Sequence, residues 1–331
     1  MQSFFLRLTG ILLMLGALAI TLAHAPDRSV ESLVARWAPP PSEFMTLKGQ
    51  LVHYRDEGPR DDPAPLVLLH GTSASLHTWE GWVASLRGAR RVITFDLPGF
   101  GLTGPFTGDW ARDDYRCDTL ARFTLDFLDT LHVKRFAIGG NSLGGEVAWR
   151  VAALAPQRVD RLILVDATGY AFKPEHIPLG FVLARIPVVR SIGEVLMPRA
   201  LIEESVRDVY GDPGKVTGAL VDRYFEMQLR EGNRHALNVR LAEIGTDLDP
   251  PRIATLHVPT LILWGGRDHL VPPASASSFH HDIAGSQLVV FPALGHVPQE
   301  EDPAQSVAPV RAFLGLAPAA AFATAAEAAA P

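Results

Sequence analysis

The chain has 331 residues, enough for one large buried core, and its 47% hydrophobic and 20% charged content describe a globular protein rather than a disordered one. A net charge of −6 without a basic stripe gives nucleic-acid binding no electrostatic support. The single cysteine, Cys117, excludes an intrachain disulfide, and without a second thiol nearby it reads as a bystander.

Taken in chain order, residues 1–25 stand apart. No charge occurs from Leu8 to Ala23, Arg7 precedes the run, and Ala23-His24-Ala25 ends it. This reads either as a signal peptide with an A-x-A cleavage site, against which Pro26 at the first mature position counts, or as an uncleaved membrane anchor. The uncharged run spans about 24 Å as a helix, short of a roughly 30 Å hydrocarbon core. Including Phe4 and Phe5, with Arg7 snorkelling, brings it to about twenty residues. Either reading implies membrane attachment or export through residues 4–25, and Arg7 places the body outside the cytoplasm, periplasmic or secreted. Residues 26–43, with Pro39-Pro40-Pro41, read as a linker.

The folded body is expected from 44 to 316. Met45 to Asp56 alternates around Lys48-Gly49, the pattern of an antiparallel hairpin. Short continuous apolar runs follow at 66–69, 91–95, 136–138, 162–165, 260–264 and 288–291, as suits parallel strands buried on both faces. Helix patterns lie between them at 78–87, 114–131, 143–155, 273–281 and 303–315. This alternation predicts an α/β open sheet covered on both faces. It breaks between 169 and 251, where helix signals dominate. There Val216, Leu220, Tyr224 and Met227 give one apolar helix face. A helical insertion after a strand emerges at the carboxyl edge of the sheet, where ligands bind, so it reads as a cap. The body thus divides into core residues 44–168, cap 169–251 and core 252–316. Residues 317–331 are almost all alanine and proline and read as a disordered tail.

The chemistry concentrates at strand ends. Gly140-Asn141-Ser142-Leu143-Gly144 lies between the apolar run ending at Ile138 and a helix pattern. As a bare pentapeptide it could be an ordinary glycine-rich turn. Between strand and helix it has the form of a nucleophile elbow, in which glycines tolerate a strained turn that exposes the serine. A serine nucleophile needs a base, and the base needs an orienter. His296 follows the last apolar strand in Phe291-Pro292-Ala293-Leu294-Gly295-His296. Asp268 in Gly265-Gly266-Arg267-Asp268 and Asp166 in Leu164-Val165-Asp166 both end strands, and chain order does not separate them. An oxyanion hole would use the N–H of Leu143 and, from the loop after an earlier strand, that of Thr72 in His70-Gly71-Thr72-Ser73. His70, before a glycine at a strand end, reads as a packing residue. No H-E-x-x-H, cysteine–histidine cluster or G-x-G-x-x-G occurs, so no metal or cofactor is expected.

Together, the His70-Gly71 loop, Asp96-Leu97-Pro98-Gly99-Phe100-Gly101, the elbow, Trp264-Gly265-Gly266-Arg267-Asp268 and Gly295-His296 resemble the α/β-hydrolase superfamily, over nearly all of 44–315. The resemblance implies an α/β-hydrolase fold: a mostly parallel eight-stranded sheet with one antiparallel strand near its start, helices on both faces and a helical cap. It also implies the triad Ser142–Asp268–His296, its acid in a Gly-x-x-Asp loop, which favours Asp268 over Asp166. Haloalkane dehalogenases and epoxide hydrolases of this fold carry aspartate where Ser142 stands, which disfavours both. The meta-cleavage-product hydrolases share a Gly-Asn-Ser elbow, but usually have a glycine-rich oxyanion loop and a tryptophan after the histidine. Thr72-Ser73-Ala74 and Val297 stand here instead. The expectation is a serine hydrolase of the carboxylesterase or lipase kind acting on a small, apolar acyl ester. Carbon–carbon hydrolysis, a cofactor-free haloperoxidase and a triad-bearing ligand receptor remain as alternatives. Tyr170, Phe172 and Phe181 could shape the acyl pocket or belong to the cap core. Substrate identity and oligomeric state are not encoded in any motif.

Overall fold

A computed structural model describes residues 2–184, 186, 193 and 195–317; the tail expected at 317–331 lies outside it apart from Ala317. Eight strands form one sheet: β1 (Glu43–Leu47), β2 (Gln50–Glu57), β3 (Leu66–Leu69), β4 (Val92–Phe95), β5 (Phe136–Asn141), β6 (Val159–Val165), β7 (Thr260–Gly265) and β8 (Gln287–Phe291), in the order β1-β2-β4-β3-β5-β6-β7-β8. β2 runs antiparallel to both its neighbours, and the pairs from β4 to β8 are parallel. The apolar runs become strands because β3 to β7 are covered on both faces. Leu66 through Leu69 are fully buried, two side chains to each face.

One face carries α4 (Cys117–Thr130), α5 (Leu143–Leu154) and α11 (Ala274–Asp282), whose apolar sides join Phe95, Ile138, Leu162 and Trp264 in the larger core cluster. The other face carries α3 (Glu80–Leu86) and α13 (Pro303–Phe313), where Trp82 and Val310 pack against Leu68 and Leu263. α3 is shorter than expected because its first turn, Leu76–Trp79, is a 3₁₀ turn.

Between β6 and β7 the described residues form α6 (Leu179–Ala184), α7 (Arg199–Arg207), α8 (Gly218–Gln228), α9 (Asn233–Glu243) and the short α10 (Pro250–Ile253). Thr217 caps α8, its hydroxyl accepting the Leu220 N–H. The face read from the sequence is divided between two clusters: Leu220 and Tyr224 pack with Val206, Tyr210 and Val297, whereas Met227 packs with Leu33 and Leu102.

The N-terminal region holds more structure than its composition suggested. α1 (Gln2–Ala23) leads into residues that bind the cap, and α2 (Val30–Trp37) lies inside the stretch expected as a linker. Ala25 N–H donates to Val195 O (3.0 Å), Met197 N–H to Ala23 O (2.8 Å) and Glu231 N–H to Arg28 O (2.9 Å). Glu226 of α8 accepts hydrogen bonds from Arg36 Nη1 (2.7 Å) and Trp37 Nε1 (2.6 Å). Residues 23–37 are therefore a strap across the cap. On α1, Phe4, Ile11, Leu12, Leu13 and Met14 are exposed. Among the described residues no helix is long and apolar enough to cross a membrane.

Candidate active site

The elbow is set by sterics. Ser142 follows β5 directly and adopts φ 55°, ψ −117°, a strained backbone for a residue with a Cβ. The turn closes because Gly140 and Gly144 have no side chains. A Cβ on Gly144 would sit 2.2 Å from Leu69 O, and one on Gly140 would sit 2.2 Å from the Gly144 carbonyl. Ser142 N–H is bound to Val165 O (3.0 Å) and its carbonyl accepts Glu146 N–H (3.0 Å), so the serine is anchored to β6 and to the first turn of α5.

His296 and Asp268 meet over this serine's end of the sheet. Asp268 Oδ2 lies 2.7 Å from His296 Nδ1, and both side chains are buried. Asp268 Oδ1 accepts the backbone N–H groups of Leu270 and Val271, each at 2.9 Å. With its oxygens so engaged the carboxylate has one orientation, and it selects the tautomer with hydrogen on Nδ1 and a basic Nε2. The histidine's backbone is equally fixed: its N–H donates to Val209 O (2.8 Å), and Asn141 Nδ2 donates to His296 O (2.9 Å).

Ser142 and His296 line one cavity of about 530 Å³ beneath the cap, together with Thr72 and Leu143. Leu143 begins α5, so its N–H stands at the positive end of the helix dipole. The Thr72 loop is held close: a Cβ on Gly71 would lie 3.2 Å from Ser142 Cβ. Its orientation rests on His70, which is fully buried, with Nδ1 2.8 Å from Gly71 O and Nε2 accepting Leu97 N–H at 2.9 Å. Burial holds this imidazole's pKa below its ordinary value, in keeping with a neutral ring that donates at one nitrogen and accepts at the other. Tyr170, Phe172 and Phe181 all line the cavity, with Leu201, Ile202 and Val206 of α7.

Asp166, the rival acid, is fully buried at the end of β6 with φ 46°. It does not hold the Nδ1 of His296; its Oδ1 accepts Gly265 N–H at 2.8 Å. A carboxylate oxygen of Asp166, one of Asp268 and a ring nitrogen of His296 lie within 4.8 Å of one another. Of the three, Asp268 and His296 bond each other directly. Cys117 is buried with its thiol beside Arg240 Nη2 (3.5 Å), and burial pushes its pKa well up, so thiolate chemistry is disfavoured.

Two supporting residues escaped sequence reading, and a third, Asp96, was read only as part of a loop motif. Gln228 of α8 donates from Nε2 to Ser73 O (3.2 Å), tying the cap to the oxyanion loop. Glu301 accepts the N–H groups of Gly211 (2.9 Å), Asp212 (2.8 Å) and Gly295 (2.8 Å), clamping cap to histidine loop. Asp96 bonds His53 Nδ1 (2.7 Å) and the N–H of Leu76 (2.7 Å) and Leu102 (2.8 Å). Burial alone would raise its pKa, but His53 beside it holds it well below the usual carboxylate range.

A buried acid–imidazole pair and an elbow serine, on the carboxyl edge of a capped α/β sheet, are the apparatus of a hydrolase. The chain belongs to the alpha/beta hydrolase family, whose model matches residues 66–310. It is 31% identical over 289 residues to an uncharacterised Mycobacterium tuberculosis protein, covering 84% of this chain and 82% of that one. A 2-hydroxymuconate semialdehyde hydrolase of a Pseudomonas species is 27% identical, over 78% of this chain and 89% of its own. Among solved structures, a meta-cleavage product hydrolase from Pseudomonas fluorescens superposes with TM-score 0.70 and 26% identity, covering 82% of this chain and 97% of that one.

Proposed function

We propose that this hydrolase cleaves a carboxylic ester through an acyl-enzyme. The observation that carries the reading is the buried 2.7 Å Asp268–His296 pair, whose histidine shares one apolar cavity with the elbow serine. Ser142 Oγ attacks the carbonyl carbon while His296 Nε2 takes its proton, and Asp268 stabilises the imidazolium. The N–H groups of Thr72 and Leu143 hold the oxyanion until the C–O bond breaks and His296 returns the proton to the leaving alcohol. Water then repeats the sequence on the acyl group, releasing acid and Ser142. A test is Ser142→Ala: hydrolysis of a p-nitrophenyl ester and covalent labelling by a fluorophosphonate should both vanish. Labelling that persists would assign the nucleophile elsewhere.

The similarity to meta-cleavage hydrolases supports a second reading, carbon–carbon cleavage in a 2-hydroxy-6-oxodienoate. A higher kcat/KM on that substrate than on every ester of a chain-length series would favour it. We also propose that α1 attaches the protein to a membrane surface, where its exposed apolar side chains would bury at the interface. Fractionation of full-length protein and of a chain lacking residues 1–25 tests this; identical soluble recovery would oppose it.

A further inference from the structure

Asp166 is a buried acid for which the ester mechanism has no use. It is wedged between β6 and β7: its N–H donates to Leu263 O (3.0 Å), its Oδ1 accepts Gly265 N–H (2.8 Å), and its backbone is held at φ 46°. A left-handed aspartate with no exposed surface is unusual at a strand end, where glycine would meet no such strain. Its other oxygen, Oδ2, is buried and has no donor facing it. Yet an Asp166 oxygen lies within 4.8 Å of Asp268 and of the His296 ring.

Two fully buried carboxylates this close repel each other when both are ionised, which favours a proton on one of them. Asp268 is already committed as an acceptor to His296 Nδ1–H and to two backbone N–H groups. The proton therefore belongs on Asp166, where it supplies a donor next to an anionic acceptor. The groups facing Asp166 are Asp268 from the loop after β7, His296 from the loop after β8, Gly265 N–H, and at longer range Glu301 of α12 (Pro298–Glu301). Burial first, then the negative charge of Asp268, raises the Asp166 carboxyl well above its ordinary value, in agreement with the geometry.

We propose that Asp166 is a neutral carboxylic acid that donates a hydrogen bond to the Asp268 carboxylate and so serves as a positioning residue for the acid–imidazole pair. This rests on the Ser142–His296–Asp268 reading of the site. The donor fixes the carboxylate plane and, through it, the orientation of the imidazole.

Two variants and two readouts test it. Infrared difference spectra at pH 7 of the full chain against Asp166→Asn should show the C=O band of a protonated carboxylic acid that is lost in the variant; no such band overturns the proposal. This readout needs no substrate, so it stands or falls separately from ester hydrolysis. In pH profiles of ester kcat/KM, Asp166→Asn keeps a donor toward Asp268 and an acceptor for Gly265, and the acidic limb should keep its position. An ionised Asp166 would instead make that limb move down by ~1 pH unit or more on substitution, which also overturns the proposal. Asp166→Leu removes the donor and should lower kcat by roughly ten- to hundredfold with KM little changed. An unchanged kcat in a folded Asp166→Leu would deny the positioning role. Wild-type protein inactive on all esters, with the acid band present, would refute the ester reading and leave the protonated Asp166 standing.

Discussion

Ser142 is held by what its neighbours lack. Gly144 has no alternative, since a methyl group there would meet Leu69 O at 2.2 Å. Gly144→Ala is therefore expected to destabilise the protein by about 1–3 kcal/mol and to lower esterase activity further, read by thermal melts and kcat. Asp268→Asn keeps the shape but presents an amide to His296 Nδ1, and kcat should fall about 10⁴-fold. A loss of less than tenfold would pass the orienting role to Asp166. These residues were legible because each stands in a short motif at a strand end, where the fold dictates residue type. Gln228 and Glu301 were not. Their partners lie far off in sequence, as with Gln228 and Ser73, separated by 155 positions, and no local pattern announces such a bond.

At the scale of elements, the cap is fastened on two sides. Glu301 holds its 211–212 turn against the histidine loop, and Gln228 holds the end of α8 against the oxyanion loop. Gln228→Ala leaves Ser73 O without this donor, so the loop bearing Thr72 loosens. The expected result is a fall in kcat of about tenfold with little change in KM, measured on a soluble ester. The strands were readable because each is a buried apolar run, and α5 because it follows the elbow. The strap was not, because residues 26–43 have the prolines and charges of a linker. Their order comes from cap residues such as Glu226 that no local pattern connects to them.

Over the whole molecule, buried histidines link stability to acidity. Burial pushes His77 down to about 4 from an ordinary 6.5, and burial lowers His70 as well. Because the unfolded chain binds protons at these rings first, their contribution to stability is full above about 6.5 and is lost as pH falls toward about 4. Melting temperature should therefore fall through that window. His77→Gln should flatten the fall, if its amide takes over the bond to Trp37 O that His77 Nε2 makes at 2.7 Å. A slope unchanged by that substitution would assign the acid sensitivity to other groups.

The strap also sets an order of assembly. Arg36 and its acceptor Glu226 are 190 residues apart, and His24 pairs with Leu196. On a ribosome, residues 23–37 emerge long before the cap segments that receive them, and until then none of these bonds has a second half. The core strands from β3 to β6 are complete by Val165 and can pair first. The earliest of these segments to be made is thus among the latest to be secured, and throughout that interval the apolar α1 hangs on an unfastened tether.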